Sequence, residues 1–145
     1  MVHDLYQEII LDHSKRPRNY HSIDNATRSA DGYNPLCGDK LKLFLRMDED
    51  VVKDASFIGA GCAISTSSAS LMTESIKGKT REEALKLLDK FHELLTTDVS
   101  VSNDLGKLVV FCGVRDYPAR VKCATLAWHT LKNALTEAAE PASTE

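Results

Sequence analysis

Two short stretches of the chain place a cysteine beside glycines. The first, NPLCGD, runs from Asn34 to Asp39 and contains Cys37, and the second, GAGCAIS, contains Cys62. Glycine permits close approach and backbone angles that a core position does not need, which weakens the reading of these thiols as small buried apolar residues. Cys123 lies in the first turns of a predicted helix. Three thiols and one carboxylate therefore fall at the ends of predicted elements, where a fold can bring them together.

A convergence of Cys37, Asp39, Cys62 and Cys123 would create a four-ligand site of three thiolates and one carboxylate. This donor set suits tetrahedral zinc. Sulfur with one oxygen ligand could also hold iron or a [2Fe–2S] cluster, so the metal stays open at this point. The carboxylate is the ligand expected to exchange, and the thiolate is the form of cysteine that attacks sulfur. The residues therefore indicate a metal site suited to sulfur chemistry.

Other candidate ligands are weaker. The four cysteines include no CxxC pair, so neither a zinc ribbon nor a thioredoxin-like motif fits. Cys112 ends the apolar run LVVFC and is predicted to be a core residue. The histidines are scattered over helix faces and one loop, and each is expected to be something other than a ligand: His3, His13, His21, His92 and His129.

Composition limits the class of protein. The chain has 145 residues, 43% hydrophobic and 27% charged, with 18 basic against 21 acidic residues and a net charge of -3. This profile is typical of one soluble domain with a real core. It argues against a nucleic-acid or anionic-membrane surface, and no stretch reaches the length of a membrane span. We expect a cytoplasmic protein.

The elements that must position the ligands follow from periodicity. Apolar residues at helical spacing predict a helix near residues 3–14, and a short strand is possible near 26–30. The next segment alternates apolar residues with a second set, Leu41, Leu43, Leu45 and Met47 with Lys40, Lys42, Phe44 and Arg46. This period of two predicts a strand with one apolar face, and residues 55–58 supply its antiparallel partner. Cys62 then lies at a strand-to-helix junction, where free N–H groups favour a thiolate.

Helices dominate the second half of the sequence. Thr80 and Glu83 form a predicted capping box before the next helix, and Pro118 suits the first turn of a long final one. LVVFC is ambiguous between strand and helix. Strands followed by helices predict an α+β fold, with a small three-stranded antiparallel sheet packed against several helices. We predict one domain over residues 1–138 and a frayed tail over 139–145.

Three cysteine motifs carry a resemblance to a known family. NPLCGD, GAGCAIS and PARVKCATLAW, together with LYQEIILDHSKRPRN at the start, resemble the U-type iron–sulfur cluster assembly proteins, the IscU and NifU N-terminal family. The similarity extends from Leu5 to about Leu135. The long segment from Lys79 to Asp116, and Lys122 where IscU proteins carry histidine, favour the SufU branch.

The resemblance implies a SufE/IscU-like fold and the metal ligands Cys37, Asp39, Cys62 and Cys123. For the SufU branch it implies a zinc-bound protein that takes persulfide sulfur from a cysteine desulfurase of the SufS type and passes it to downstream cluster assembly proteins. For the IscU branch it implies a scaffold for a [2Fe–2S] cluster at the same ligands. We prefer sulfur transfer, which would make the protein a sulfur carrier acting with the desulfurase.

We predict specific roles in sulfur transfer for two residues. Cys37 is the predicted sulfur acceptor, because it lies on a glycine-containing loop whereas Cys62 and Cys123 are anchored to helices. Arg120 is predicted to steer the anionic persulfide. A cation in the first turn of a helix is mildly unfavourable against the helix dipole, which favours a functional reason for its position.

Overall fold

The computed structural model describes residues 2–35, 38–96, 103–136 and 142–143, and side chains within 6–35, 38–96 and 105–136. Its elements in chain order are α1 (Val2–Lys15), β1 (Arg28–Asn34), β2 (Asp39–Asp48), β3 (Val51–Ala60), α2 (Ala63–Ile76), α3 (Arg81–Thr96), a 3₁₀ helix (Asn103–Val114), α4 (Pro118–Thr136) and β4 (Ala142–Ser143). The predicted α+β class is confirmed.

The sheet has the strand order β3-β2-β1-β4. Strands β1, β2 and β3 form the predicted three-stranded antiparallel sheet. The two residues of β4 add a parallel pairing to Gly32 and Tyr33 of β1. They belong to the predicted tail, and the division into a domain of residues 1–138 and a tail stays a prediction.

The alternation predicted for β2 is present. Leu41, Leu43 and Leu45 are buried against the helices, while Lys40 and Lys42 are exposed on the other face. Because side chains of a strand point alternately to its two faces, this pattern fixes which side of the sheet meets the core.

Three buried aromatic side chains, from α3, the 3₁₀ helix and α4, pack against one another in the core. Trp128 of α4 stacks on Phe91 of α3 with ring centroids 4.7 Å apart, and Phe91 meets Phe111 edge-to-face at 5.8 Å. The Trp128 indole N–H donates to Ser68 Oγ of α2 at 3.2 Å. These contacts fix α2, α3 and α4 relative to one another.

Two local predictions have clear outcomes. The capping box of α3 is confirmed, since the Glu83 amide donates to Thr80 Oγ1 at 3.1 Å and the Thr80 amide to Glu83 Oε1 at 3.0 Å. The ambiguous run LVVFC lies in the 3₁₀ helix, which is interrupted at Gly106 with φ 55°. Phe111 packs there against α3 instead of joining the sheet. Within the described ranges, every helix is too short or too polar to span a bilayer.

Candidate metal centre

Three of the four predicted ligands meet where different elements begin. Asp39 is the first residue of β2, Cys62 precedes α2, and Cys123 lies in the second turn of α4. One carboxylate oxygen and the two sulfurs all lie within 4.8 Å of one another. Asp39 and Cys123 are only 1% and 3% exposed, and Cys62 is the most accessible of the three.

Cys62 is held at the junction between β3 and α2 by its position as the N-cap of α2. Its backbone is extended, at φ −72° and ψ 172°, and its sulfur accepts a hydrogen bond from the Ser65 amide at 3.4 Å. The first turn of a helix offers N–H groups without intrahelical partners, so an N-cap sulfur is held by the backbone itself. The predicted strand-to-helix position of Cys62 is confirmed.

The Asp39 carboxylate is bound to this same junction. Its Oδ1 accepts a hydrogen bond from the Cys62 amide at 2.9 Å. The approach requires Gly61, because a Cβ there would lie 2.8 Å from Asp39 Oδ1 and 2.3 Å from Ser65 Oγ. The glycine before Cys62 thus has the close-approach role that the sequence suggested.

Asn34, which was not among the candidates predicted from the sequence, also lies beside the ligands. It is the last residue of β1, pairs with Asp39 across the β1–β2 turn, and is fully buried. Its Nδ2 lies 3.2 Å from Asp39 Oδ2 and 3.5 Å from Cys123 Sγ. No local pattern marked it, because its two contacts depend on the register of β1 on β2 and on the packing of α4.

Cys123 is positioned by the packing of α4 on α2. The carbonyl of its neighbour Ala124 accepts a hydrogen bond from Ser68 Oγ at 2.6 Å. Ser68 also receives the Trp128 indole N–H, so one buried serine joins the two helices next to the thiol. These two bonds explain why a serine can occupy position 68 on the buried face of α2.

Cys37, the fourth predicted ligand, lies outside the described residues. Among the described residues on either side of it, the Gly38 amide donates to the Asn34 carbonyl at 2.8 Å, and Gly38 has φ 73°. Left-handed backbone of this kind is the conformation that glycine adopts without strain. The role of Cys37 as ligand and acceptor stays a prediction.

The remaining sequence candidates lie on α4 and in the 3₁₀ helix. Arg120 is exposed on the first turn of α4, with its guanidinium 4.8 Å from the centre of the Tyr117 ring. Lys122 is exposed as well. Cys112, which was predicted to be a core residue, is half-buried and packs against the hydrophobic core. It is not a member of the ligand group found among the described residues.

The histidines likewise stay outside that group within the described part of the chain. His13 is buried, and its Nδ1 lies 2.7 Å from Ser70 Oγ of α2. Burial lowers the pKa of His13, and burial also lowers the pKa of His129. Both shifts disfavour a charged imidazole and concern the packing of helices rather than the metal centre.

The donor set fits a thiophilic divalent cation. Two sulfurs and a carboxylate this close together repel one another when deprotonated, and a bound cation removes that repulsion. Zinc binds cysteine sulfur and carboxylate oxygen in such mixed sets. The three described residues could therefore hold one zinc ion, with a fourth position left for Cys37 or an exchanging ligand.

Comparisons with known proteins give a family match and similar proteins of known name. The family described as NifU-like N terminal domain matches residues 5–137. A Bacillus subtilis (strain 168) protein named zinc-dependent sulfurtransferase SufU is 42% identical over 134 residues, which cover 92% of this chain and 90% of that protein. A Streptococcus pyogenes serotype M1 protein named iron–sulfur cluster assembly scaffold protein IscU is 40% identical over 139 residues, covering 95% and 87%.

A solved structure agrees with the fold. The crystal structure of a candidate iron–sulfur cluster assembly scaffold protein for the SUF system, from Fervidobacterium islandicum AW-1, superposes with a TM-score of 0.83 at 40% sequence identity. The match covers 92% of this chain and 98% of that chain. The similarity therefore extends over the sheet and the helices that carry the three ligands.

Proposed function

The chain belongs to the NifU-like N-terminal domain family, and we propose that it acts in iron–sulfur cluster assembly as a zinc-dependent acceptor of sulfur from a cysteine desulfurase. The observation that carries this proposal is the convergence of Asp39, Cys62 and Cys123 within 4.8 Å. The name of the 42% identical Bacillus relative supports zinc and sulfur transfer as the specific chemistry.

The mixed ligand set favours exchange over a closed structural site. Structural zinc sites are usually built from cysteine and histidine, whereas catalytic sites keep one open or replaceable position. Zinc, when bound, supplies a positive charge that keeps its cysteine ligands deprotonated and therefore nucleophilic. The sequence favoured the carboxylate as the exchanging ligand, but Asp39 is buried and both of its oxygens accept hydrogen bonds. Asp39 therefore holds the metal in this proposal, and a cysteine is the ligand that exchanges.

Cys37 is the proposed acceptor. Its thiolate attacks the outer sulfur of the desulfurase persulfide, a new S–S bond forms on Cys37, and the S–S bond of the desulfurase breaks. The electron pair of the broken bond stays on the desulfurase cysteine, which leaves as a thiolate. The exchange needs no external oxidant or reductant. The sulfur then passes to downstream cluster assembly proteins.

Arg120 is the proposed steering residue. It precedes Cys123 by three positions on α4, and residues at that spacing share a helix face. Its guanidinium is exposed and lies against Tyr117, so it can attract an anionic persulfide as the partner arrives. We place the reaction in the cytoplasm, with a desulfurase of the SufS type as the partner.

A scaffold role is the second candidate function. The Streptococcus relative, 40% identical, is named a scaffold protein, and a cluster would use the same ligands. Metal analysis of anaerobically purified protein separates the two functions. Sulfur transfer predicts a colourless protein with about one zinc per chain, and a scaffold predicts a brown one with iron and sulfide.

The experiment that tests the proposal is a comparison of four cysteine variants in a desulfurase assay. Cys37→Ala is expected to abolish stimulation of desulfurase turnover and retain some zinc, because water can fill the fourth position. Cys62→Ala and Cys123→Ala are expected to lose both stimulation and most zinc. Cys112→Ala is the control, with both properties unchanged and a stability loss of about 1 kcal/mol or less.

Two results would contradict the proposal. Full stimulation by Cys37→Ala would remove the acceptor role from that residue. Full zinc content in Cys62→Ala and Cys123→Ala would show that the described ligand group does not hold the metal.

A further inference from the structure

A buried amide lies between two of the three candidate ligands. Asn34 is fully buried, and its Nδ2 lies 3.2 Å from Asp39 Oδ2 and 3.5 Å from Cys123 Sγ. A primary amide nitrogen carries two hydrogens, so it can donate to the carboxylate and the sulfur together. One side chain of β1 thus contacts ligands that come from β2 and α4.

The other end of this amide shows what determines its orientation. Asn34 Oδ1 is buried and has no hydrogen-bond partner among the described residues. The two ends of an amide have nearly the same shape, so packing alone would accept either orientation. The reverse orientation would direct an acceptor oxygen at the carboxylate and the sulfur. The orientation is therefore explained by donation to the carboxylate oxygen and the sulfur, both of which accept hydrogen bonds, and this offsets the unpartnered oxygen.

We propose that Asn34 is a positioning residue of the metal centre, holding Asp39 and Cys123 in the arrangement that receives the metal. The inference rests on the proposed function, because it assigns a residue to the same site. Both oxygens of Asp39 are held, Oδ2 by Asn34 and Oδ1 by the Cys62 amide. Asn34 therefore contacts Asp39 and Cys123 directly and is joined to Cys62 through Asp39, so the three ligands are held together when Cys37 leaves to accept sulfur.

The test compares Asn34→Leu with the control Ser56→Ala. Ser56 is also fully buried, and its Oγ also lacks a partner among the described residues, but it is not a member of the ligand group. Zinc affinity is measured by competition with a chromophoric chelator. We expect Asn34→Leu to weaken zinc binding by roughly 10–100-fold, the usual effect of removing a hydrogen-bond partner of a metal ligand. Ser56→Ala should bind zinc like the parent protein.

A second measurement separates positioning from a purely structural role. In metal-free protein, hydrogen exchange of the Cys62 amide reports the bond to Asp39 Oδ1, and we expect several-fold faster exchange in Asn34→Leu than in Ser56→Ala. The melting temperature of metal-free Asn34→Leu should fall further than that of the control, because the buried Asp39 Oδ2 loses a donor whereas Ser56→Ala removes only an unpartnered hydroxyl, so the exchange rate and the zinc affinity are the readouts that identify positioning.

The outcomes are distinct. Unchanged zinc affinity and unchanged Cys62 exchange, with a lower melting temperature, would make Asn34 a structural residue and overturn the inference. A parent protein that binds no zinc would overturn the proposed function instead. In that case faster Cys62 exchange would still uphold the positioning of Asp39 by Asn34, and unchanged exchange would refute it.

Discussion

Replacing Gly61 with alanine tests the geometry of the ligand group directly. The new Cβ would lie 2.3 Å from Ser65 Oγ and 2.8 Å from Asp39 Oδ1. The Ser65 hydroxyl can rotate away at little cost. The carboxylate can move only by lengthening its 2.9 Å hydrogen bond from the Cys62 amide. The substitution therefore weakens the bond that holds Asp39 beside Cys62.

The magnitude follows from two opposing terms. A hydrogen bond to a charged group contributes about 1.5–3 kcal/mol. Alanine in place of glycine restricts the unfolded chain and stabilises by about 0.4–1 kcal/mol. The net loss is therefore about 0.5–2.6 kcal/mol, which lowers the melting temperature of a domain of this size by roughly 1–10 °C. Zinc affinity should fall by about 10–100-fold, since a ligand loses its supporting donor.

The chain offers a matched control in Gly113→Ala. A Cβ at Gly113 would have nothing within 4 Å, and the residue lacks the left-handed backbone of Gly38 or Gly106. We expect this variant to match or slightly exceed the parent in melting temperature and to bind zinc normally. Calorimetry and chelator competition on both variants measure the difference. Equal behaviour of Gly61→Ala and Gly113→Ala would refute the close approach of Asp39 to the α2 junction.

Three further predictions concern pH, metal removal and branch chemistry. Burial lowers the pKa of His13 in the folded protein below its usual value of about 6.5, so its contribution to stability is fully present above about pH 6.5 and is lost as the pH falls from there through the lowered pKa. Urea unfolding from pH 7 to pH 5 should show a shallower loss in His13→Gln, and equal slopes would contradict this. A strong chelator should lower the melting temperature by several degrees, whereas an unchanged curve after verified metal removal would count against the site. Lys122→His should retain more iron or cluster after anaerobic reconstitution, without improving sulfur transfer; retention equal to the parent would mean that Lys122 does not set the chemistry.

Local patterns predicted the elements whose side chains follow a clear period. The alternation in β2 and the capping box of α3 each depend on neighbours along the chain, and both are present. Strand β1 was predicted too short, near residues 26–30, and extends over Arg28–Asn34. Its polar sequence RSADGYN has weak strand preference, and pairing with β2 decides its structure.

The residues of the site also differ in whether local sequence or long-range packing identifies them. Glycine neighbours selected Cys37 and Cys62, and the carboxylate two residues after Cys37 selected Asp39. Cys123 was selected by its position in the first turns of a predicted helix, and Cys37 lies outside the described residues. Asn34 could not be selected in this way, because its contacts with Asp39 and Cys123 depend on hairpin register and on the packing of α4. Long-range contacts of this kind leave no periodic trace in a sequence.

The location of the transferred sulfur tests the central claim most directly. The parent protein is incubated anaerobically with a SufS-type cysteine desulfurase and cysteine, and peptides are then examined by mass spectrometry, with the zinc-stripped protein as the control. Sulfur transfer predicts one added sulfur atom on Cys37 in the zinc-loaded protein and much less in the stripped protein. Added sulfur on Cys112 instead, or equal labelling with and without zinc, would contradict a zinc-dependent acceptor at this site.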